Sequence, residues 1–543
     1  IYHHAIIHFI MKKNTRFFYA AGSALLLWLA WPPFVFAPLL FIAFVPLLMI
    51  EDELFQANDS KSSRKLFGYT FLTFAIWNIA DTWWIWNAAA IGMIMAFLLN
   101  AFLMSLPFFI YHKSRRYLHQ SYALMLLVAS WLAYEYFHLH WDLSWPWMTL
   151  GNGFAKMPSV VQWYEYTGVF GGSLWVLAVN VLLYRLIRRF ANAPAGISAR
   201  QRVYASLPLC TTLVIPVIIS LGIYFNYEEP FNPSNIVIVQ PNIDPYNEKF
   251  DELPAEIQIR RMIHLSDSLG QKNTEFFLWP ETALQGGIFE NDLSRDYHVS
   301  LVRNFITRYK NGNVLTGAST YMQYEKKETP TARVYSNGQC CYDAYNTALF
   351  IESFSPEVQV YHKSKLVPGV EQMPYPGLFR FLEPLAVNLG GTSGSLGKQE
   401  EPTVFHTRSG IAVAPVICYE SIYGEYLTEY VRKGAQFIAI VTNDGWWGNT
   451  PGYMQHADYA RLRAIETRRS IARSANTGIS CFINQRGDIT AQTGWWTATA
   501  IKGEINLNDR LTFYSIYGDY IGKAASALAL LSILFLLVRS RRK

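Results

Sequence analysis

A multi-span helical membrane region joined to an α/β domain is the fold class this sequence predicts, and three observations predict it. Of the 543 residues 51% are hydrophobic and only 16% charged, a balance that belongs to a chain lying partly in a bilayer. Long uncharged runs recur up to residue 227 and once more near the end, with lysines and arginines gathered in every second loop. Between Asn235 and Asn508 the pattern changes to short β-branched runs alternating with polar, helix-like segments. That alternation signals a layered α/β architecture. A chain of this length is expected to hold two regions.

Met11-Lys12-Lys13 reads as a natural start, so residues 1–10 are expected to be an upstream extension outside the fold. From Phe17 to Ile50 the chain is almost uncharged, with Pro32-Pro33 in the middle. A span needs about 20 residues, so two short helices hinged at the prolines are expected. A signal peptide cleaved near Val35-Phe36-Ala37 is the rival reading, and the further spans weigh against it. Apolar runs at Leu66–Trp86, Ala88–Tyr111, Tyr122–Phe137, Gly172–Leu186, Tyr204–Tyr224 and Tyr520–Val538 bring the expectation to eight spans. Seven fall in residues 11–227 and the eighth in 519–538.

Cations then set direction. Lys12, Lys13 and Arg16 precede the first span; Lys61, Arg64 and Lys65 separate the second from the third; Lys113, Arg115 and Arg116 follow the fourth. Arg185, Arg188, Arg189, Arg200 and Arg202 lie between the sixth and seventh, and Arg539, Arg541, Arg542 and Lys543 close the chain. Because Lys and Arg stay on the cytoplasmic side, seven spans from a cytoplasmic start put everything after Tyr227 on the outer face. Trp141, Trp145 and Trp147, in one of the alternate loops, suit a membrane–water interface.

Composition also excludes functions. The net charge of +6 is modest and its cations flank apolar runs, which serves orientation in a bilayer and not nucleic-acid binding. Five cysteines, two of them adjacent at Cys340-Cys341, make no disulfide framework. No Cys/His spacing resembles a zinc site, and there is no P-loop or dinucleotide fingerprint, so chemistry without metal or cofactor is expected.

Strands are expected at Ile236–Val239, Glu275–Trp279, Val314–Ala318, Ala344–Ile351, Val358–Tyr361, Ile411–Ile417, Phe437–Thr442, Ile479–Asn484 and Ile489–Ala491. Helices are expected at Glu256–Leu269, Ser294–Arg308 and Tyr453–Ser474. Three of the strands end in chemistry. Val413 to Ile417 runs into Cys418-Tyr419-Glu420-Ser421, Phe276 to Trp279 into Pro280-Glu281, and Val358 to Tyr361 into His362-Lys363. Alone, a cysteine at a strand tip is more often an inert core thiol. A carboxylate and an ammonium delivered the same way supply a general base and a fixed cation for a thiol nucleophile.

Strand-Pro-Glu, Tyr-x-Lys-x-x-Leu and strand-Cys-Tyr-Glu in this order resemble the Glu–Lys–Cys triad of the nitrilase (carbon–nitrogen hydrolase) superfamily. With the membrane flanks, the resemblance narrows to the apolipoprotein N-acyltransferase family. It implies an extracytoplasmic nitrilase-like α-β-β-α sandwich over residues 234–508. It implies Cys418 as nucleophile, Glu281 as base, Lys363 as stabiliser of the negative oxygen, and the Tyr419 N–H as an oxyanion donor. Val367-Pro368-Gly369-Val370-Glu371-Gln372-Met373-Pro374 resembles the family's Val-Pro-Phe-Gly-Glu-x-x-Pro, so Glu371 is expected to orient Lys363 or steer an incoming amine. Glu420 matches the family's Cys-Tyr-Glu. Thr442-Asn443-Asp444-Gly445-Trp446-Trp447-Gly448 and Arg463-Ala464-Ile465-Glu466 match further family stretches. Glu466 is expected to hold a buried arginine or lysine, and Phe250 and Trp446 are expected at the substrate. The implied partners are a phospholipid acyl donor, a diacylglyceryl apolipoprotein acceptor and the bilayer, with no nucleic acid. The implied place is the bacterial inner membrane, with the catalytic domain facing the periplasm. A membrane-tethered amidase or nitrilase acting on a small substrate is the alternative, and a non-enzymatic scaffold with a decayed triad a third.

Overall fold

The computed structural model describes residues 13–541 apart from 58, 89, 194–197, 250–252, 336–339 and 376–394. Both the extension expected at 1–10 and Phe250 lie outside the described residues. Contacts divide the chain into two compact units: Ile1–Trp83, Ile91–Asn226 and Asp519–Lys543 form one, and Trp84–Ala90 with Tyr227–Gly518 the other.

The first unit is helical. Its helices run Lys13–Leu29, Val45–Gln56, Ser62–Thr82, Ala90–Ser114, Gln120–Phe137, Tyr164–Ala191, Ala199–Asn226 and Tyr520–Arg541, with shorter turns between. Among the described residues, four helices are by length and composition apolar enough to cross a membrane: Gly92–Ser114, Tyr164–Ala191, Ala199–Asn226 and Tyr520–Arg541. Polar residues that find partners lower the hydropathy of others. In Ser62–Thr82, the Asn78 amide donates to Phe74 O and accepts from Asn100 Nδ2 at 3.1 Å, all buried. Pro32 and Pro33 fall between the first two helices, since proline lacks the N–H that would carry the first one on. The second carries the buried acids Glu51, Asp52 and Glu53 in its C-terminal half. Arg115 pairs with Glu51 at 2.7 Å, Arg188 with Asp52 at 2.8 Å and Arg16 with Glu53 at 2.7 Å. Cations read from the sequence as orientation signals are thus also counter-ions to buried carboxylates.

The second unit holds two sheets. Strands β1 (Pro233–Gln240), β2 (Phe276–Leu278), β3 (Leu284–Phe289), β4 (Asn313–Tyr324), β5 (Arg333–Val334), β6 (Cys341–Glu352), β7 (Val358–His362) and β14 (Thr499–Asn506) make the first. Its order is β14-β1-β2-β4-β6-β5, with β3 on β4 and β7 on β6. Strands β8 (Phe405–His406), β9 (Ala412–Ile417), β10 (Phe437–Thr442), β11 (Ile471–Ala475), β12 (Cys481–Ile483) and β13 (Ile489–Gln492) make the second, in the order β13-β12-β11-β10-β9-β8. The sheets face each other: Phe276 of β2 meets Phe437 of β10 edge-on at 5.0 Å. Helices Ala255–Leu269 and Tyr297–Ile306 pack Ile259, Met262, Val302 and Phe305 against Phe277 and Leu349 of the first sheet and Trp279 just past β2. Helices Gly424–Arg432 and Pro451–Thr467 pack on the second, where Tyr430 Oη donates to Pro415 O of β9 at 3.3 Å. Four layers, α-β-β-α, result. Inner strands β9 and β10 are buried on both faces, which is why they read as unbroken apolar runs.

One expected element is corrected. The helix expected over Tyr453–Ser474 stops at Thr467, Arg468 turns into the left-handed region (φ 49°), and β11 follows in the middle of the second sheet. Arg469 and Arg473 look like the polar face of a helix, but both are buried. Arg473 pairs with Asp444 at 2.7 Å, and Arg469 donates to Ala435 O and Arg510 O. Tertiary partners override the local pattern. The helix expected over Ser294–Arg308 begins at Tyr297, where Asp296 caps it by accepting from the His298 and Val299 N–H groups. Strand β14 was not expected: Lys502 and Glu504 alternate with Ile501 and Ile505, but Gly503 between them weakens the strand signal, and the strand pairs with β1 along its full length.

Candidate active site

Three strand ends converge. In β2 the chain stops at Leu278; Trp279 N–H donates to Leu315 O and Pro280 O accepts from Gly317 N–H, so Glu281 is pinned beside β4. A Cβ on Gly317 would lie 2.5 Å from Thr282 N and 2.6 Å from the Glu281 Cα, so only glycine admits this approach. The pairing of Thr347 with His362 sets Lys363 opposite Asn346, whose carbonyl accepts from Lys363 N–H at 2.9 Å. The pairing of Ile417 with Val441 sets Cys418 at the end of β9, and Asn443, past the end of β10, donates its N–H to Glu281 Oε2 at 3.0 Å.

Glu281, Lys363 and Glu371 form one buried hydrogen-bonded cluster. Lys363 Nζ donates to Glu371 Oε1 at 2.9 Å and to Glu281 Oε1 at 3.2 Å. Asn346 Nδ2 donates to the same two oxygens, at 2.7 Å to Glu281 Oε1 and 2.9 Å to Glu371 Oε1. Glu371 Oε2 accepts from Val367 N–H, which ties it to its own loop. Burial works against charge on Glu281, but Lys363, the Asn346 amide and Lys249 outweigh it and hold the carboxyl below its ordinary range. For Lys363 burial is likewise outweighed, by Glu281 and then Glu371, and the ammonium is held well above its ordinary value. Both groups are therefore ionised at neutral pH.

Cys418 is the opposite case. It is 8% exposed and its backbone is left-handed at φ 51°. Burial, then the charge of Glu281, push its thiol well above the ordinary value, and Lys363 and a hydrogen bond with Thr442 offset this only in part. At rest the site thus holds a carboxylate, an ammonium and a protonated thiol.

Tyr419 is the second residue of the 3₁₀ turn Cys418–Ile422, and its ring lies edge-on to Tyr423 at 5.4 Å. Glu420 is fully buried. Its Oε1 accepts from Tyr361 Oη at 2.5 Å and Ser364 N–H at 2.7 Å, and its Oε2 from Ile417 N–H at 2.9 Å. It thereby ties the end of β9 to the loop that carries Lys363. Burial raises this carboxyl to about 7. Glu466 holds a buried arginine: Arg463 pairs with it at 2.6 Å and also donates to Ile422 O, at the far end of the turn. Trp446 is half-buried, edge-on to Tyr246 at 5.2 Å, with its carbonyl accepting from Tyr246 Oη at 2.6 Å. Beside it, Trp84 packs on Trp447 at 4.8 Å and Asn87 Nδ2 donates to Trp447 O at 2.8 Å.

The family model for the carbon–nitrogen hydrolase domain matches residues 238–511, and that for the apolipoprotein N-acyltransferase N-terminal domain matches residues 23–182. An apolipoprotein N-acyltransferase of Chlorobaculum tepidum is 31% identical over 97% of this chain and 98% of its own. The chain belongs to the apolipoprotein N-acyltransferase family. A relative of the same name from Geobacter metallireducens is 26% identical over 94% of this chain and 92% of its own. A solved amidase from Nesterenkonia aligns with 51% of this chain and 92% of its own, at 15% identity and a TM-score of 0.34.

Two polar groups of this family member's site were not predicted. Asn346 lies inside β6, where a lone amide in an apolar strand gives no signal beyond being buried. Lys249 is buried, and its Nζ donates to Thr282 Oγ1 at 2.7 Å and to Glu281 O at 3.1 Å. Burial lowers it to about 8, against the opposing pull of Glu281 and Cys418. The sequence signal for Lys249 was that Lys249-Phe250 stands where the family commonly has Lys-Trp.

Proposed function

We propose that this chain is a phospholipid-dependent N-acyltransferase of apolipoproteins, working by ping-pong transfer through a Cys418 thioester. Carrying this reading is the joint presence, in a chain matched end to end by such relatives, of a protonated thiol and an ionised Glu281–Lys363–Glu371 cluster. The sulfur attacks the ester carbonyl of a phospholipid while its proton passes to Glu281. Lys363 and the Tyr419 N–H stabilise the negative oxygen; one such donor is worth about 2.7–4 kcal/mol of barrier. The C–O bond then breaks, and the lysophospholipid leaves with the proton from Glu281. In the second half, the free α-amine of a diacylglyceryl-cysteine attacks the thioester. Glu281 takes a proton from the nitrogen and returns it to the sulfur as the C–S bond breaks. Glu371 and Asn346 hold Lys363 and Glu281 in register through both halves. Phe250 and Trp446 are assigned to the acyl chains.

The membrane reading is eight spans with the catalytic unit on the periplasmic side of a bacterial inner membrane. Four long apolar helices support it. So does the gathering of Arg16, Arg115 and Arg188, from three of the basic stretches, on the one acidic run Glu51–Glu53. Those stretches therefore share one end of the helical unit, as the alternation of charge requires.

Incubating the purified full-length protein in detergent with acyl-labelled phospholipid tests the reaction. Label is expected on Cys418 as a hydroxylamine-sensitive thioester and then on an added diacylated lipopeptide. Label released only as free fatty acid would refute transfer and favour a membrane-tethered hydrolase.

A further inference from the structure

Outside the triad, a buried polar cluster lies behind the nucleophile. Asp444, His456, Arg473 and Ser421 are all buried. Asp444 Oδ2 pairs with Arg473 NH2 at 2.7 Å, and Oδ1 lies 2.9 Å from His456 Nδ1 and accepts from Thr442 Oγ1 at 2.8 Å. Arg473 is anchored in turn by donating to Ile479 O. On its other side, His456 Nε2 lies 2.9 Å from Ser421 Oγ and 3.2 Å from Cys418 O. Ser421 Oγ itself donates to Cys418 O at 2.7 Å. A carbonyl oxygen only accepts, and the serine proton is already committed to it, so Nε2 carries a hydrogen and shares it between the two oxygens; Nδ1 faces the acceptor-only Asp444 Oδ1 and carries one as well, so both ring nitrogens donate.

The consequence follows from the peptide bond. Cys418 C=O and Tyr419 N–H belong to one planar unit and point in opposite directions. Fixing the carbonyl with two donors therefore fixes where the Tyr419 N–H points. This matters because Cys418 sits at φ 51°, a conformation that costs a non-glycine residue free energy and persists only when its surroundings hold it.

We infer that His456, oriented by Asp444 and Arg473, is a positioning residue for the oxyanion donor: through Ser421 and the Cys418 carbonyl it aims the Tyr419 N–H. The inference rests on the acyl-transfer reading above, in which that N–H meets the negative oxygen. It also predicts a division between two reactions of one sulfur. Acylation by an ester passes through a tetrahedral oxyanion and needs the donor. Alkylation by iodoacetamide displaces iodide at carbon, forms no oxyanion at a carbonyl, and needs only the thiolate.

The test uses full-length protein in detergent. For His456→Phe, which keeps a ring but removes the donor, single-turnover thioester formation from labelled phospholipid should fall roughly 10²–10³-fold, while iodoacetamide labelling of Cys418 changes by less than about threefold. His456→Gln, which keeps an N–H, should recover at least tenfold of the loss, and Ser421→Ala, which removes one donor of two, should fall between Phe and native. The loss should appear in the acylation rate constant at saturating phospholipid and not in KM. Acylation at the native rate in His456→Phe would overturn the inference, and so would a parallel loss of alkylation and acylation, which would make His456 merely structural. Absence of any thioester in the native protein would instead sink the acyl-transfer reading itself.

Discussion

Replacing Lys363 by methionine keeps the volume of the side chain and removes its charge. In the native site one ammonium serves two carboxylates, at 2.9 Å to Glu371 and 3.2 Å to Glu281, with all three groups largely shielded from water. Breaking a buried pair by deleting one partner costs about 3–5 kcal/mol, because the other charge is left uncompensated. Here two carboxylates remain, bridged by the Asn346 amide, with the charge of Lys249, which donates to the Glu281 backbone carbonyl, nearby. Like charges this close cannot both stay ionised, so one carboxyl of the variant takes up a proton. The sign of the pH effect therefore reverses. In the native protein Glu281 is held below its ordinary value of 4.5, so its contribution is complete above that value and lost only as pH falls through the depressed one. In the variant one carboxyl is raised, so its contribution is complete at acidic pH and lost as pH rises through the raised value. The difference in melting temperature between native and variant should be small near pH 5 and widen to on the order of 10 °C by pH 8.5. Thermal melts of the detergent-solubilised full chain at five or six pH values would measure it, alongside thioester formation, which should be abolished throughout. A melting difference that stays constant with pH, or a variant that still acylates at the native rate, would refute the assigned charges.

Three further outcomes are expected. Cys418→Ser should abolish the hydroxylamine-sensitive thioester while leaving the melting curve nearly unchanged, since hydroxyl and thiol differ little in size at this turn; mass spectrometry of the trapped protein checks it. Glu420→Gln puts an amide donor against the Ile417 N–H that Oε2 now satisfies, costing about 1–3 kcal/mol. Because Glu420 titrates at about 7 in the fold, its own contribution is lost as pH rises through that value, so native and variant melts should converge above pH 7. Gly317→Ala forces the β4 backbone away from Glu281, where the added carbon would sit 2.6 Å from the Glu281 Cα. Overpacking of this kind costs about 1–3 kcal/mol, and a misplaced base should slow single-turnover acylation about 10²-fold.

Strand ends are where the sequence spoke most clearly. Each catalytic candidate follows a short β-branched or aromatic run, and such runs state both that a strand is buried and where it stops, so Cys418, Glu281 and Lys363 could be named without coordinates. Membrane character was equally legible, because an apolar run beside cations is a local property. Reading helix against strand failed at β11, where buried arginines carry a polar pattern whose meaning depends on Asp444, 29 residues away along the chain. Edge strand β14 was missed for a different reason: Gly503 interrupts its short alternation, and pairing with β1 is what makes it a strand.

Amino-acid order alone determined which residues could do chemistry and the membrane setting in which they would do it. Tertiary structure decided what those residues are. It made Glu281 and Lys363 ions by setting them against each other and Glu371, kept Cys418 protonated by burying it, and used Asn346, Lys249 and the Asp444–His456–Arg473 cluster as supports. Protonation and orientation depend on groups brought within a few ångströms from distant parts of the chain, and no local pattern records that.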